Sequence, residues 1–300
     1  MNSDALKMIE QAKLVLHQAI VANKNLVNKL EQFVVQTQLP EKKAALLIGI
    51  NYTDNPELQL GGCVNDVQHV RTALIEHRGV SPEHIVCLTD GAPGKIEGEN
   101  KQRPTAENIL QHIDAFVTRA LKENFTCLWF HYSGHGTYIT DRSDDEKDGR
   151  DECLVGCDGK LVSDDELLVR LVRRLPPHVK LTCVVDCCHS GTQMDLKYRY
   201  VGGRRNAVQT AAFSGDTQYC SVICLSGCRD NQTSDDVLYK DGWAGAMTTH
   251  ILDILSDCEY NTTCYSVLRK LRNLLSANGH TQVPQITSTY KLNATTPFPI

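Results

Sequence analysis

The chain has 300 residues, 41% of them hydrophobic and 22% charged, with a formal net charge of −5. That is enough to bury a large core, and charges mixed along the chain without a basic stripe exclude a nucleic-acid surface. Every apolar run falls far short of the ~20 residues of a membrane helix, and residues 1–13 lack the basic start and apolar core of a secretory signal.

A cytoplasmic location is therefore expected, and the 13 cysteines read as mostly reduced, buried, small apolar side chains. Residues 4–36 read as one long helix. Leu6, Ile9, Lys13, Leu16, Ile20, Asn23, Val27, Leu30 and Val34 alternate three and four apart, a mostly apolar a/d stripe. Lys13 and Asn23 interrupt it, which favours packing along the following domain over a coiled coil with a partner. Pro40 and the basic pair Lys42-Lys43 end the helix. Residues 1–43 are thus an N-terminal helical segment and linker, and 44–300 one further domain.

From Ala44 the pattern alternates strand and helix. Residues 44–50 are a short apolar run, followed by a loop carrying LGGCVND (60–66) and a helix over about 64–77. A strand at 84–89 and a Gly/Pro/Asn-rich loop at 91–104 lead to a helix ending near Glu123, then a strand at 126–132. An acidic loop at 141–152, a short strand at 153–157 and a helix with Asp164 or Asp165 as N-cap precede a strand at 180–185. A basic, non-periodic stretch at 197–216, a strand at 219–226, helices at 242–257 and 263–277 and a closing strand at 285–288 complete the chain. Alternating strands and helices predict a mostly parallel sheet covered on both faces.

Two strands end in chemistry. One runs into Asp186-Cys187-Cys188-His189-Ser190-Gly191; the other runs through His131-Tyr132 into Ser133-Gly134-His135-Gly136. Ligands bind at the carboxyl ends of strands in open α/β sheets. A histidine preceding a cysteine by about 50 residues is the caspase arrangement. Peptide cleavage needs a thiolate, and one histidine can take its proton and later return it to the leaving amine. Cys187, Cys188, His131, His135 and His189 compete for these roles. Adjacent strand residues face opposite ways, so Cys187 and Cys188 cannot both face one cleft. His135, between glycines, can reach outward, whereas His131 lies within an apolar strand.

The motifs HYSGHG (131–136) and DCCHSG (186–191), with LGGCVND, DEC (151–153), SDDEL (163–167), GTQMDL (191–196) and SGCRDNQTSDD (226–236), resemble those of metacaspases over roughly residues 44–290. The resemblance implies a caspase-like three-layer α/β/α sandwich with a central, mostly parallel sheet. It implies Cys188 as nucleophile and His135 as general base and acid, with Gly136 and Cys188 N–H groups as the oxyanion hole. Asp66 and Asp186, with Cys63 and Ser133 beside them, match the pocket that takes the residue before the scissile bond. A pocket for Arg or Lys needs such carboxylates, so cleavage after Arg or Lys is expected. Helix capping by Asp66 is the alternative for that residue.

The acidic loop mimics an EF-hand from Asp144, but position 12 would be Val155 where glutamate is required. The metacaspase resemblance instead implies a calcium site of Asp151, Asp164, Asp165 and Asp195. Zinc at Cys220, Cys224 and Cys228 is disfavoured, because structural zinc sites usually show two-residue gaps in knuckle loops. Basic sites at Lys42, Lys43, Arg204 and Arg205 are candidates for self-cleavage. The expectation is a calcium-dependent cysteine endopeptidase, monomeric, acting on peptide substrates and binding neither nucleic acid nor membrane. The alternative is a catalytically latent scaffold associating through its N-terminal helix.

Overall fold

A computed structural model describes residues 41–91, 99–100, 102–140, 150–187, 194, 196–200, 208–209, 219–227, 236–239, 242–280 and 282–299. The expected N-terminal helix lies outside the described residues, as do the acidic stretch 141–149, Cys188, His189, Asp195, Arg204, Arg205 and Cys228.

The first half contains β1 (Lys43–Gly49), α1 (Cys63–Arg78), β2 (Ile85–Thr89), β3 (Glu99–Asn100), α2 (Ala106–Glu123) and β4 (Cys127–Ser133). Then come β5 (Gly136–Thr140), β6 (Arg150–Val155), β7 (Leu161–Ser163), α3 (Asp164–Leu167) with a wide turn over Leu168–Val172, and β8 (Lys180–Asp186). The remainder holds β9 (Tyr198–Tyr200), β10 (Val208–Gln209), β11 (Ser221–Ser226), β12 (Asp236–Tyr239), β13 (Gly242–Gly245), α4 (Ala246–Asp257), α5 (Cys264–Ala277) and β14 (Gln285–Ser288).

Nine strands form one sheet in the order β10-β9-β14-β11-β8-β4-β1-β2-β3. From β11 to β3 every pairing is parallel, while β14, β9 and β10 add antiparallel strands at the other edge. The parallel strands read as continuous apolar runs because both faces are covered. In β1, Ala44, Leu46 and Ile48 join a core with Ile109, Ile113, Phe116 and Val117 of α2. Ala45 and Leu47 join a second core with Val67 and Leu74 of α1 and with Ile251 and Leu271 of α4 and α5. Each fully buried Leu, Ile, Val or Phe side chain among them contributes about 1.5–3 kcal/mol. The architecture is the expected α/β/α sandwich.

Local chemistry sets the helix ends. Thr105 Oγ1 accepts from Asn108 N–H at the start of α2, and Asn124, left-handed at φ 57°, closes it. The helix after β7 is capped by Ser163, not by Asp164 or Asp165 as expected. Ser163 and Glu166 form a reciprocal capping box, which leaves the aspartate side chains for other partners.

Several short strands depart from the sequence expectation. β5, β6 and β7 form a separate antiparallel sheet, with β6 ending at Val155 rather than Cys157. The stretch 197–216, read as basic and without apolar periodicity, contributes β9 and β10. Residues 242–245 form a hairpin strand with β12 instead of opening the helix, so α4 starts at Ala246. Among the described residues, no helix is long and apolar enough to cross a membrane.

Candidate active site

The parallel register aligns the carboxyl ends of three central strands: Gly49 lies beside Ser133, and Ser133 beside Asp186. Strand alternation sends Val185 and Cys187 into the core shared with α2 and Asp186 to the opposite face. Cys187 is thereby buried as a core thiol.

On the α1 face, Asp186 and Asp66 are 3% and 0% exposed. Asp66 stands in the first turn of α1, whose N-cap is Gly62. Its carboxylate accepts from Ser133 Oγ at 2.6 Å and from the Gly245 N–H at 2.9 Å. Asp186 Oδ2 accepts from the Thr248 N–H at 3.0 Å and its Oγ1 at 2.8 Å. A Cβ on Gly245 would stand 2.5 Å from Asp186 Oδ2 and 2.7 Å from Asp66 Oδ2. Glycine there lets both carboxylates close on one small space. Ser133 and Cys63 are buried with them. The structure thus brings together Asp66, Ser133 and Asp186 of the residues expected for the pocket and adds Gly245 and Thr248, which no sequence pattern marked; Cys63 is the buried first residue of α1, three positions before Asp66.

His135 follows β4. Its N–H donates to Tyr52 Oη at 2.8 Å, and its carbonyl accepts from Tyr132 Oη at 2.8 Å. Its Nε2 lies 2.7 Å from the Leu58 carbonyl. A carbonyl only accepts, so Nε2 carries a hydrogen, and in the neutral form of the ring the lone pair is then on Nδ1. The Tyr52 ring packs against the imidazole with centroids 4.7 Å apart. Burial pushes both tyrosine hydroxyls above their ordinary range, keeping them protonated donors. A Cβ on Gly134 would stand 2.7 Å from Tyr132 Oη and 3.0 Å from Tyr52 Oη, so this glycine permits their approach. Gly136 opens β5 opposite Leu154; its expected oxyanion partner, the Cys188 N–H, lies outside the described residues.

His131, by contrast, is fully buried in β4 between Leu47 and Val184. Neither ring nitrogen has a hydrogen-bond partner among the described residues. Burial pulls its pKa down to about 3, so it is a neutral core residue.

Of the expected calcium ligands, Asp151 and Asp164 are buried and Asp165 half-buried. Asp164 accepts from the N–H groups of Glu152 and Asp165. The neighbouring Cys153 thiol is pushed up to about 12 by burial and by the charges of Asp164, Asp151, Glu152 and Glu166. Among the described residues, no group of three or more His, Cys, Asp or Glu side chains is arranged to hold a metal. The donors present are desolvated carboxylate oxygens, which fit a hard cation such as calcium.

Of the candidate cleavage sites, Lys43 is the first residue of β1, and the Lys42 carbonyl accepts from both Thr126 N–H and Cys127 N–H. Cutting after Lys42 requires releasing both bonds.

The family model for the metacaspase, peptidase C14 domain, matches residues 42–197. The chain is 35% identical over 273 residues to metacaspase-2 of Trypanosoma brucei brucei, covering 85% of this chain and 75% of that protein. It is 31% identical over 304 residues to metacaspase-1 of Yarrowia lipolytica, covering 86% of this chain but only 64% of the yeast protein's length. Among solved structures, a protein of Geobacter sulfurreducens shares the fold with a TM-score of 0.57 at 21% identity, covering 86% of this chain and 99% of that one. Caspase-1 of Spodoptera frugiperda does so with a TM-score of 0.52 at 11% identity, covering 83% and 87%. On its family match and these identities, the chain belongs to the metacaspases, the caspase-fold cysteine peptidases.

Proposed function

We propose that this chain is an endopeptidase that cuts after Arg or Lys through a Cys188–His135 dyad. The observation that carries the specificity is the pair of buried carboxylates, Asp66 and Asp186, converging on Gly245. Two carboxylates on one buried space offer negative charge and several acceptor oxygens to a guanidinium or ammonium of the substrate, and Ser133, Thr248 and the Gly245 amide hold them in place.

In the proposed reaction His135 Nδ1 takes the Cys188 proton, and the thiolate adds to the carbonyl carbon of the Arg or Lys residue. The N–H groups of Gly136 and Cys188 receive the developing oxyanion. His135 returns the proton to the leaving amine, giving a thioester acyl-enzyme. Water, deprotonated by the same imidazole, then releases the acid and restores the thiol. The Leu58 carbonyl fixes the ring so that Nδ1 is the basic atom throughout.

Asp151, Asp164, Asp165 and Asp195 would hold calcium, whose charge balances their mutual repulsion and orders the loop after Cys188. Self-cleavage after Lys42, Lys43, Arg204 or Arg205, a monomeric state and a cytoplasmic location belong to the same reading. Prolonged incubation with calcium, read as new N-termini by sequencing, tests the self-cleavage part; an intact chain would count against it.

Specificity is tested by kcat/KM on matched arginyl, lysyl and aspartyl peptides. Preference for the basic pair supports the reading, and aspartyl preference contradicts it. A folded protein cleaving none of them is the outcome expected of a latent scaffold.

A further inference from the structure

Tyr52 is a bulky residue at φ 54°, in the left-handed region that such side chains adopt at a cost. It is nevertheless fully buried and touches His135 twice, through its ring and through the hydroxyl that accepts the His135 N–H. That hydroxyl is fixed in turn by donating to the Val155 carbonyl at 2.8 Å. Strain of this kind persists only where surrounding groups hold it.

Here the holder is Asp90, a buried carboxylate just beyond β2. Its two oxygens accept from the amides on either side of Tyr52: Asn51 N–H at 2.7 Å and Thr53 N–H at 3.2 Å. Thr53 Oγ1 donates to the Asp90 carbonyl at 3.1 Å. The clamped segment then folds on itself, with Asn55 N–H bonded to the Tyr52 carbonyl and Leu60 N–H to that of Asn51. This turn presents the Leu58 carbonyl to His135 Nε2. One carboxylate therefore anchors the segment that fixes both the backbone and the ring of His135.

We propose that Asp90 and Tyr52 are positioning residues for His135: Asp90 locks the left-handed turn at Tyr52, and the locked loop sets the tautomer and aim of the imidazole. The inference rests on reading His135 as the general base. A carboxylate is suited to this because it offers two acceptors to two amides, whereas an amide in its place would turn a donor toward one of them.

The test compares wild type with Asp90→Asn, Tyr52→Phe and the double variant on an arginyl peptide, with thermal midpoints as the control for folding. Each single variant is expected to lower kcat roughly tenfold, with KM changed by less than about threefold. The double variant is expected to be no worse than the weaker single, because both act through one device. The histidine ring 15N–1H spectrum reads the same geometry without turnover. The signal lost in His135→Gln should show a single Nε2–H tautomer in wild type and a tautomer mixture in both variants.

Folded variants with wild-type kcat and an unchanged His135 signal would overturn the proposal, as would losses confined to KM or multiplying in the double variant. If Asp90→Asn does not fold, Tyr52→Phe alone decides. Wild type that cleaves no arginyl peptide would defeat the functional reading, and the ring spectra would still decide whether Asp90 and Tyr52 hold His135.

Discussion

Gly245→Ala is a small perturbation aimed at the proposed specificity pocket. Gly245 has φ −66°, which alanine adopts freely, so any effect comes from space and not from backbone strain. The added methyl would stand 2.5 and 2.7 Å from the carboxylate oxygens of Asp186 and Asp66. Both groups are tied to donors on β4, β13 and α4, so they must retreat together and lose part of their bonding. Overpacking of this kind costs about 1–3 kcal/mol of folding stability, and a comparable weakening of the grip on the substrate is roughly 5- to 150-fold in kcat/KM. On the proposed reading the carboxylates grip the substrate cation in ground and transition states alike, so the loss should fall mainly on KM. The assay is steady-state hydrolysis of an arginyl peptide amide, with the thermal midpoint as fold control. A folded variant with wild-type kcat/KM would refute the claim that these carboxylates form the pocket.

Thr248→Val keeps the backbone donor to Asp186 but removes the hydroxyl; a hydrogen bond to a charged group contributes about 1.5–3 kcal/mol, so arginyl kcat/KM should fall at least about tenfold, measured by the same assay. His131 stays neutral in the fold, with a pKa near 3 against 6.5 for the ordinary ring. The unfolded chain therefore binds its proton first, and stability fully present above about pH 6.5 is lost as pH falls toward 3, by about 1.4 kcal/mol per unit. His131→Leu should flatten that dependence, gaining roughly 2–3 kcal/mol relative to wild type between pH 6.5 and 4.5; parallel urea-unfolding curves at the two pH values would contradict it. Asp164→Asn removes one of the proposed calcium ligands and should weaken calcium binding at least about tenfold, read by titration calorimetry. An unchanged isotherm would remove Asp164 from the site.

The central strands were legible because their signal is local: β1, β4 and β8 are apolar runs ending in glycine or polar motifs, and burial on both faces leaves no other assignment. The residues assigned to the pocket were legible from motif order, and the fold gathers Asp66, Ser133 and Asp186. What the sequence hid depends on distance along the chain. Gly245 is 179 residues from Asp66, and its role is an absent side chain. Leu58 contributes only a carbonyl, which any residue possesses. Tyr52 reads as a loop aromatic until its left-handed backbone and its contact with His135 are seen. Ser163 is hard to single out as N-cap because the adjacent aspartates carry an equally good capping signal. β5, β9 and β13 are short, and tertiary pairing, rather than alternation, defines them.

The most direct measurement of the central claim is release of a fluorescent amine from an arginyl peptide, with calcium and with chelator, by wild type and by Cys188→Ala. The account predicts turnover by wild type with calcium, loss of it with chelator, and none by the variant under either condition. Turnover by a folded Cys188→Ala protein, or none by folded wild type with calcium, would contradict it.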